Sequence, residues 1–261
     1  VSDGDGDVKV FTGGGSGQVA IYNLSPGVIR YEFAATLIAM LFYEHNRMQA
    51  IGQKSTVGDV GFSTAGAILS IYRNVVTEEF LDGPHDWMFF LDSDMVLEPD
   101  TLEKLLEVAD PETRPIVAGL YMMAQDDGNV PTICHWGKDI GTGKYRMHPR
   151  PGFIPEDELI EVDGTGSGCM LIHRNALLKM HANYGPPEPW YGVDTRDGTT
   201  VGEDYSFCLR AKDIGIPTFV RTGVRCGHAG KTVTLTTKMH NGPTLRGYDG
   251  RVHPKPPEPE V

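Results

Sequence analysis

The stretch "HDWMFFLDSDMVLEPDTLEKLL", residues 85–106, decides the fold. Five apolar residues, Trp87 to Leu91, read as a fully buried strand and run straight into Asp92-Ser93-Asp94. Two carboxylates one residue apart repel each other and resist desolvation, so the pair is stable where water or a cation neutralises it. That leaves two readings, a solvated turn or a metal site. Beyond the turn, Asp100 with Glu103 forms a D-x-x-E capping-box signal ahead of "LEKLLEVA", which predicts a helix there.

Outward from this unit, strands and helices alternate. Upstream, "QVAIYNL" (18–24) reads as a strand, followed by a turn at Ser25-Pro26-Gly27 and a helix through about His45. A second helix, "TAGAILSIYRNVVTEEFL", spans roughly 64–81 with Ala, Ile, Leu and Val on one face. Downstream, "PIVAGLYM" is a strand, 125–160 is loop-rich, and "GSGCMLIHRNALLKMH" is a strand leading into a helix. A Gly/Pro-rich loop covers 184–202. "GEDYSFCLRAKDIGI" then reads as a helix opening on two carboxylates and closing at Gly215, and "IPTFVRTGVRCGHAG" as a strand followed by a loop. Such alternation implies an α/β fold, a mostly parallel sheet with helices on both faces. No internal repeat and no linker divides it. The expected organisation is a Gly/Asp-rich flexible lead-in (1–17), a single domain (18–240) and a Pro-rich tail (241–261).

Composition narrows the function. The chain has 261 residues, 40% of them hydrophobic, enough for a sizeable core, with a formal charge of -12. Nucleic acids and anionic membranes are bound with an excess of Lys and Arg, so neither is an expected partner. A phosphate-bearing ligand would need a cation or a few placed basic groups. The longest apolar stretch, "FAATLIAMLFY" (33–43), lies between Glu32 and Glu44 and is about half a membrane span, so a core helix is expected and no stable membrane insertion. Cys134, Cys169, Cys208 and Cys226 are far apart, without a CxxC pair, and are expected to be reduced; with no signal peptide visible, the expected location is cytoplasmic. In the lead-in, Asp3, Asp5 and Asp7 alternate like the start of a calcium loop, but Val8 and Gly14 stand where that loop needs Gly and Glu.

In open α/β sheets, ligands bind in the crevice outside the carboxyl ends of the strands, where the Asp92-Ser93-Asp94 turn lies. Carboxylates together with substrate phosphates are the usual shell for Mg²⁺ or Mn²⁺ bound with a nucleotide. Gly164, Gly166 and Gly168 would let the backbone approach a sugar or acceptor closely, or would simply form a turn before a strand. Trp190 and Tyr191 would stack on a sugar face or pack within their loop. Arg73 would reach a phosphate or stand as a solvated charge at a helix end.

In order along the chain, "RN" (73–74), "FFLDSDM" (89–95), "GTGSGCML" (164–171), "GEDYSFCLRAKDIGI" (202–216) and "GHAG" (227–230) resemble the inverting, family 2-like glycosyltransferases of the GT-A fold, a Rossmann-like nucleotide-diphospho-sugar transferase fold. The resemblance covers about residues 18–230. It implies a metal-dependent enzyme moving a hexosyl or N-acetylhexosaminyl group from a nucleotide diphosphate sugar, UDP- or GDP-linked, to a hydroxyl of a protein or glycan acceptor. Carried over by position, Asp94 is a ligand for Mn²⁺ or Mg²⁺, Asp92 a ribose or metal contact, and His228 a metal ligand. Ser93, Arg73 and Asn74 fall to the donor, and Gly166, Ser167, Trp190 and Tyr191 to the transferred sugar or acceptor. Asp204, with Glu203 as the alternative, supplies the base that takes the acceptor proton in a single displacement. Acidic residues at a helix start also suit the helix dipole, which is compatible with that role. Gln125 sits where relatives often carry a basic residue, and the base-binding positions are not evident in "NLSPGVIRYEF" or "IGQKSTVGDVG". Two other functions fit parts of the pattern: a nucleotide-sugar or glycan binding module without turnover, or a sugar-1-phosphate nucleotidyltransferase. The latter needs a Gly-rich, Arg-containing loop after its first strand, which "YNLSPGVIRYE" does not supply.

Overall fold

The computed structural model describes residues 18–25, 29–64, 68–125 and 128–229, with short pieces at 234–235, 244–246 and 252–254. The expected lead-in, the Pro26-Gly27 part of the first turn and most of the Pro-rich tail lie outside the described residues.

Seven strands form the central sheet: β1 (Val19–Ser25), β2 (Val57–Thr64), β3 (Trp87–Asp92), β4 (Ile116–Leu120), β5 (Leu159–Val162), β6 (Cys169–His173) and β7 (Thr218–Arg225), in the order β5-β7-β4-β6-β3-β1-β2. The sheet is evenly mixed. β1 runs parallel to β2 and to β3, and β7 parallel to β4, while β6 is antiparallel to both β3 and β4 and β5 is antiparallel to β7. The chain reaches β6 from β4 through hairpins rather than a helical crossover, so it can return antiparallel.

Among the described residues five helices cover the sheet: α1 (Tyr31–Ala50), α2 (Leu69–Asp82), α3 (Thr101–Val108), α4 (Arg174–Tyr184) and α5 (Glu203–Asp213). The pleat sorts the core into two layers, because alternate side chains of one strand face opposite ways. In β3, Met88 and Phe90 join Val76 and Phe80 of α2, Leu177 and Met180 of α4 and Phe207 of α5. Trp87, Phe89 and Leu91 join Phe33, Leu37 and Met40 of α1 and Leu102 and Leu105 of α3 on the other face. At roughly 25 cal/mol per Å² of apolar area, each such fully buried side chain contributes about 1.5–3 kcal/mol before entropy is counted.

Local signals succeed and fail for identifiable reasons. Gly215 has φ +74, the Ile216 N–H bonds to Ala211 O at 2.9 Å and the Gly215 N–H to Lys212 O at 3.0 Å, so α5 closes on the expected glycine in a Schellman turn. The capping box at Asp100 does not form. Asp100 is the N-cap residue of α3 but has φ -92 and ψ 11 and makes no side-chain cap bond. Its carboxylate instead pairs with Lys104 at 3.0 Å, and Glu103 accepts from Tyr43 Oη at 2.7 Å. The loop-rich stretch 125–160 contains most of two hairpins, 122–125 with 128–131 and 134–138 with 145–149, and ends in β5. The 184–202 loop contains a third, Asp194–Arg196 with Thr199–Val201, whose two-residue turn Asp197-Gly198 has φ +50 and +76.

All four cysteines are free and buried. Among the described residues, no helix is long and apolar enough to cross a membrane.

Candidate active site

One end of the sheet gathers side chains from five distant segments. Asp92 ends β3, and its N–H bonds to Gly168 O at 3.0 Å, which ties the 164–168 loop to the acidic turn. Met95–Val96 pairs antiparallel with Gly227–Ala229, His228 opposite Met95, and the Ala229 N–H donates to Asp94 O at 2.8 Å. This small ladder sets His228 beside Asp94 although 134 residues separate them. Asp204 enters from the first turn of α5, and Arg73 from α2.

Arg73 joins the two halves of the site. Fully buried, it donates from Nη2 to Asp92 Oδ1 at 3.2 Å and lies 3.6 Å from Asp204 Oδ1. Its guanidinium sits 5.4 Å from the Phe90 ring centre and 5.5 Å from that of Tyr191, a desolvated setting in which ring faces help hold a cation. Burial works against the charge, but Asp92 and Asp204 outweigh it and the guanidinium is held more firmly protonated than usual. Burial raises the Asp92 carboxyl above its ordinary range; Arg73 opposes that rise, and Asp204 and Asp94 add to it. The sequence offered Arg73 as a phosphate contact or a solvated charge. Its position is neither of these, for it is a buried counter-ion between the acidic turn and the α5 carboxylate.

The glycines are required by close approach. A Cβ on Gly166 would stand 1.8 Å from Tyr121 Oη, and one on Gly168 3.1 Å from Asp92 Oδ2 and 3.2 Å from Tyr121 Oη. Tyr121 follows β4, is 4% exposed, accepts a long 3.4 Å bond from the Gly168 N–H, and meets His228 edge-on with ring centres 5.5 Å apart. Burial, then Asp204 and Asp92, push its hydroxyl well above the ordinary phenol range, so it stays protonated. Sequence reasoning missed Tyr121. The signal was its place at the carboxyl end of a buried strand, the same rule that singled out Asp92.

His228 Nδ1–H donates to Met122 O at 3.1 Å, which turns Nε2 toward Asp94 Oδ2, also at 3.1 Å. The hydrogen bond to Asp94 raises the imidazole pKa, burial opposing. An imidazole oriented by a backbone carbonyl, its other nitrogen facing a carboxylate oxygen, is the arrangement that divalent metal sites use. Among the described residues no group of three or more His, Cys, Asp or Glu converges to hold a metal alone. The donor set therefore fits a cation that takes its remaining ligands from water and a diphosphate.

Other expected residues fall elsewhere. Trp190 and Tyr191 have no exposed surface, which removes them as sugar-stacking groups. Trp190 Nε1 donates to Leu177 O at 2.8 Å, and Tyr191 stacks on Phe207 with ring centres 4.6 Å apart. Asn74 is buried and braces that loop: its Nδ2 donates to Tyr191 O at 2.6 Å, and its Oδ1 accepts from the Tyr191 N–H at 3.2 Å. It is 5% exposed, and its amide is engaged by the loop backbone. Ser93 and Ser167 are also buried. Glu203 is half-buried and has no ion pair among the described residues, whereas its neighbour Asp204 faces Arg73. The side chain of Gln125 lies outside the described residues.

Residues 80–179 match the family model described as Glycosyl transferase family 2. Among solved structures, A197 from STIV aligns with a TM-score of 0.51 and 17% identity over 94% of this chain and 97% of its own. GalNAc-T7, solved with UDP, GalNAc and Mn²⁺, aligns with a TM-score of 0.53 and 10% identity over 82% of this chain. That alignment spans only 44% of the GalNAc-T7 chain, and at such identities both likenesses speak for the fold. No curated protein matches the chain. The family match covers less than half of the chain and the structural likenesses concern the fold, so the findings show a similarity to family 2 glycosyltransferases in the segment that carries the acidic turn. The matched segment holds Asp92, Asp94, Tyr121 and Gly166 but ends before Asp204 and His228.

Proposed function

We propose that this protein transfers a hexosyl or N-acetylhexosaminyl group from a UDP- or GDP-sugar to a hydroxyl of a protein or glycan acceptor, by single displacement with inversion. The observation that carries the reading is the convergence of Asp92, Asp94, Asp204 and His228 at one end of the sheet, with Arg73 between the first and third of them. Asp94 and His228 would hold Mn²⁺ or Mg²⁺, and the imidazole favours Mn²⁺. The cation, when bound, neutralises charge on the departing nucleoside diphosphate. Asp92, fixed by Arg73, is placed for the donor ribose or the cation. Asp204 lies 3.6 Å from the same Arg73 Nη2 that bonds Asp92, its side chain partly open to solvent, and would accept the proton of the attacking hydroxyl. Tyr121 fills the space beside Gly166 and Gly168, so these glycines would serve the site by letting Tyr121 and Asp92 approach the loop. Four free cysteines suit a reducing, cytoplasmic setting.

The test is release of nucleoside diphosphate from a panel of UDP- and GDP-sugars with Mn²⁺ or Mg²⁺, with and without chelator. One donor should be turned over, and chelation should stop it. No release from any donor by folded protein, with or without acceptor extracts, would remove the transferase reading; release indifferent to chelator would remove the metal. His228→Ala should need more Mn²⁺ for half-maximal rate, because one ligand is lost while Asp94 and phosphate oxygens remain.

A further inference from the structure

We propose that the hairpin Cys134–Lys138/Tyr145–Pro149 is the acceptor platform and that it selects an acidic saccharide. This rests on the transferase reading for the word acceptor, but not for the binding itself.

The hairpin is rooted beside the candidate base. Cys134 N–H bonds to Gly164 O at 3.0 Å and Gly164 N–H to Cys134 O at 3.1 Å. Cys134 Sγ lies 3.5 Å from Tyr205 Oη, next in sequence to Asp204, and a Cβ on Gly164 would fall 2.6 Å from Met147 Cε. Register puts Cys134, Trp136 and Lys138 on one face with Tyr145 and Met147, since Trp136 opposes Met147 and Lys138 opposes Tyr145. The face that packs against the site at its root therefore carries Trp136, Tyr145 and Lys138 farther out. Trp136 and Tyr145 stack, with ring centres 6.1 Å apart and planes at 23°, and Tyr145 is 38% exposed. Trp136 Nε1 donates to Asp197 Oδ2 at 3.3 Å and Thr199 Oγ1 to Tyr145 O at 2.6 Å, so the Asp197-Gly198 turn fixes the aromatic pair from behind.

Charge supplies the specificity. In a chain of net charge -12, this hairpin with its turn carries Lys138, Lys144 and Arg146 against Asp139 alone; register puts Lys138 on the aromatic face and Arg146 on the other. Four neighbouring carboxylates are matched, Asp139 to Arg146, Asp163 to Lys212, Asp194 to Arg210 and Asp213 to Arg196, while Asp197 accepts from Trp136 Nε1. Lys138 and Lys144 are exposed and have no ion pair among the described residues. Rigid aromatic surface with unpaired ammonium groups suits a sugar ring that bears a carboxylate, the ring lying on the aromatics and the acid reaching a lysine. A single-stranded nucleic acid has related chemistry and enters the test as the competing outcome.

The test is binding without any donor, read by tryptophan fluorescence or calorimetry at fixed low salt. The probes are a galacturonic acid trimer, maltotriose and a short oligothymidylate. The uronate should bind at least 10-fold more tightly than maltotriose. Lys138→Glu with Lys144→Glu should remove that preference, and Tyr145→Ala should weaken both saccharides. Nucleoside diphosphate release from the donor alone should be unchanged in these variants, which keeps this outcome separate from failure of the transferase reading. Equal binding of both saccharides, an unaltered preference in the double variant, or tighter binding of the oligothymidylate would overturn the proposal.

Discussion

Arg73→Met probes the contact on which the site's geometry depends. Methionine replaces most of the buried stem but removes the charge that lies 3.2 Å from Asp92 and 3.6 Å from Asp204. Breaking a buried ion pair by deleting one partner costs about 3–5 kcal/mol, because the remaining charge stays desolvated. Here the partners' side chains are 28% exposed, so water can relieve part of that penalty, and about 2–3 kcal/mol is expected. In urea that loss lowers the midpoint by roughly 0.7–1 M at a slope of about 3 kcal/mol/M. The sign of a second mutation is more telling. In the wild-type background Asp204→Asn discards an attraction to Arg73 and should destabilise the fold. In the Arg73→Met background the same change removes a repulsion with Asp92 and should stabilise it. Urea unfolding of the four proteins, followed by circular dichroism, gives the coupling directly, expected at about 1 kcal/mol or more. A coupling near zero, or Arg73→Met within about 0.5 kcal/mol of wild type, would refute the clamp.

Three further outcomes follow from the same geometry. Asp204→Asn should leave donor and metal affinity in place while transfer falls about 10²-fold or more, whereas Asp94→Asn should weaken metal binding itself; near wild-type transfer by Asp204→Asn with an inactive Glu203→Gln would move the base by one residue. Gly166→Ala sets a methyl 1.8 Å from Tyr121 Oη and should cost about 1–3 kcal/mol by overpacking, and Tyr121→Phe in the same chain should recover part of it, since the ring carbon Cζ would still lie at 2.8 Å; thermal melts of the two variants decide. Burial holds the His173 imidazole below its ordinary 6.5, and its Nδ1 accepts from the Asn175 N–H at 3.2 Å as the N-cap of α4. The unfolded chain therefore takes up that proton first: the stabilisation is complete above about pH 6.5 and is lost as pH falls through that value toward the folded pKa. His173→Asn keeps a cap acceptor without titrating, so its stability between pH 7 and 5 should fall less than that of wild type; parallel curves would refute the assignment.

How much of this was legible in the sequence depended on the range of the interactions. The apolar run Trp87–Leu91, the glycine closing α5 and the acidic start of that helix are local signals, and each became the expected element. The β2 strand was missed because "VGDVGFST" alternates weakly, and its place is set by pairing with β1 along its whole length. The Asp197-Gly198 hairpin was legible and overlooked: Asp-Gly between short polar strands is a turn signal even inside a Gly/Pro-rich loop. Trp190 and Tyr191 show the opposite limit. No local pattern tells a buried aromatic residue from an exposed one, and what buries them is Asn74, more than 110 residues away, with Phe207 and Leu177.

Arg73 marks the same limit at the site. Its sequence neighbourhood is an ordinary helix, yet its charge is matched by one carboxylate 19 residues downstream and another on a helix 131 positions away, so its role exists only once the fold is made. The consequence is functional. In the proposed function Asp92 would serve the donor and Asp204 the acceptor, and a single buried guanidinium holds both within ion-pair reach. A donor or cation that draws Asp92 away from Arg73 leaves that guanidinium with Asp204 as its sole carboxylate partner, which ties the position of the base to occupancy of the donor site without any moving loop. Because linkage is reciprocal, neutralising Asp204 would in turn alter the hold of Arg73 on Asp92.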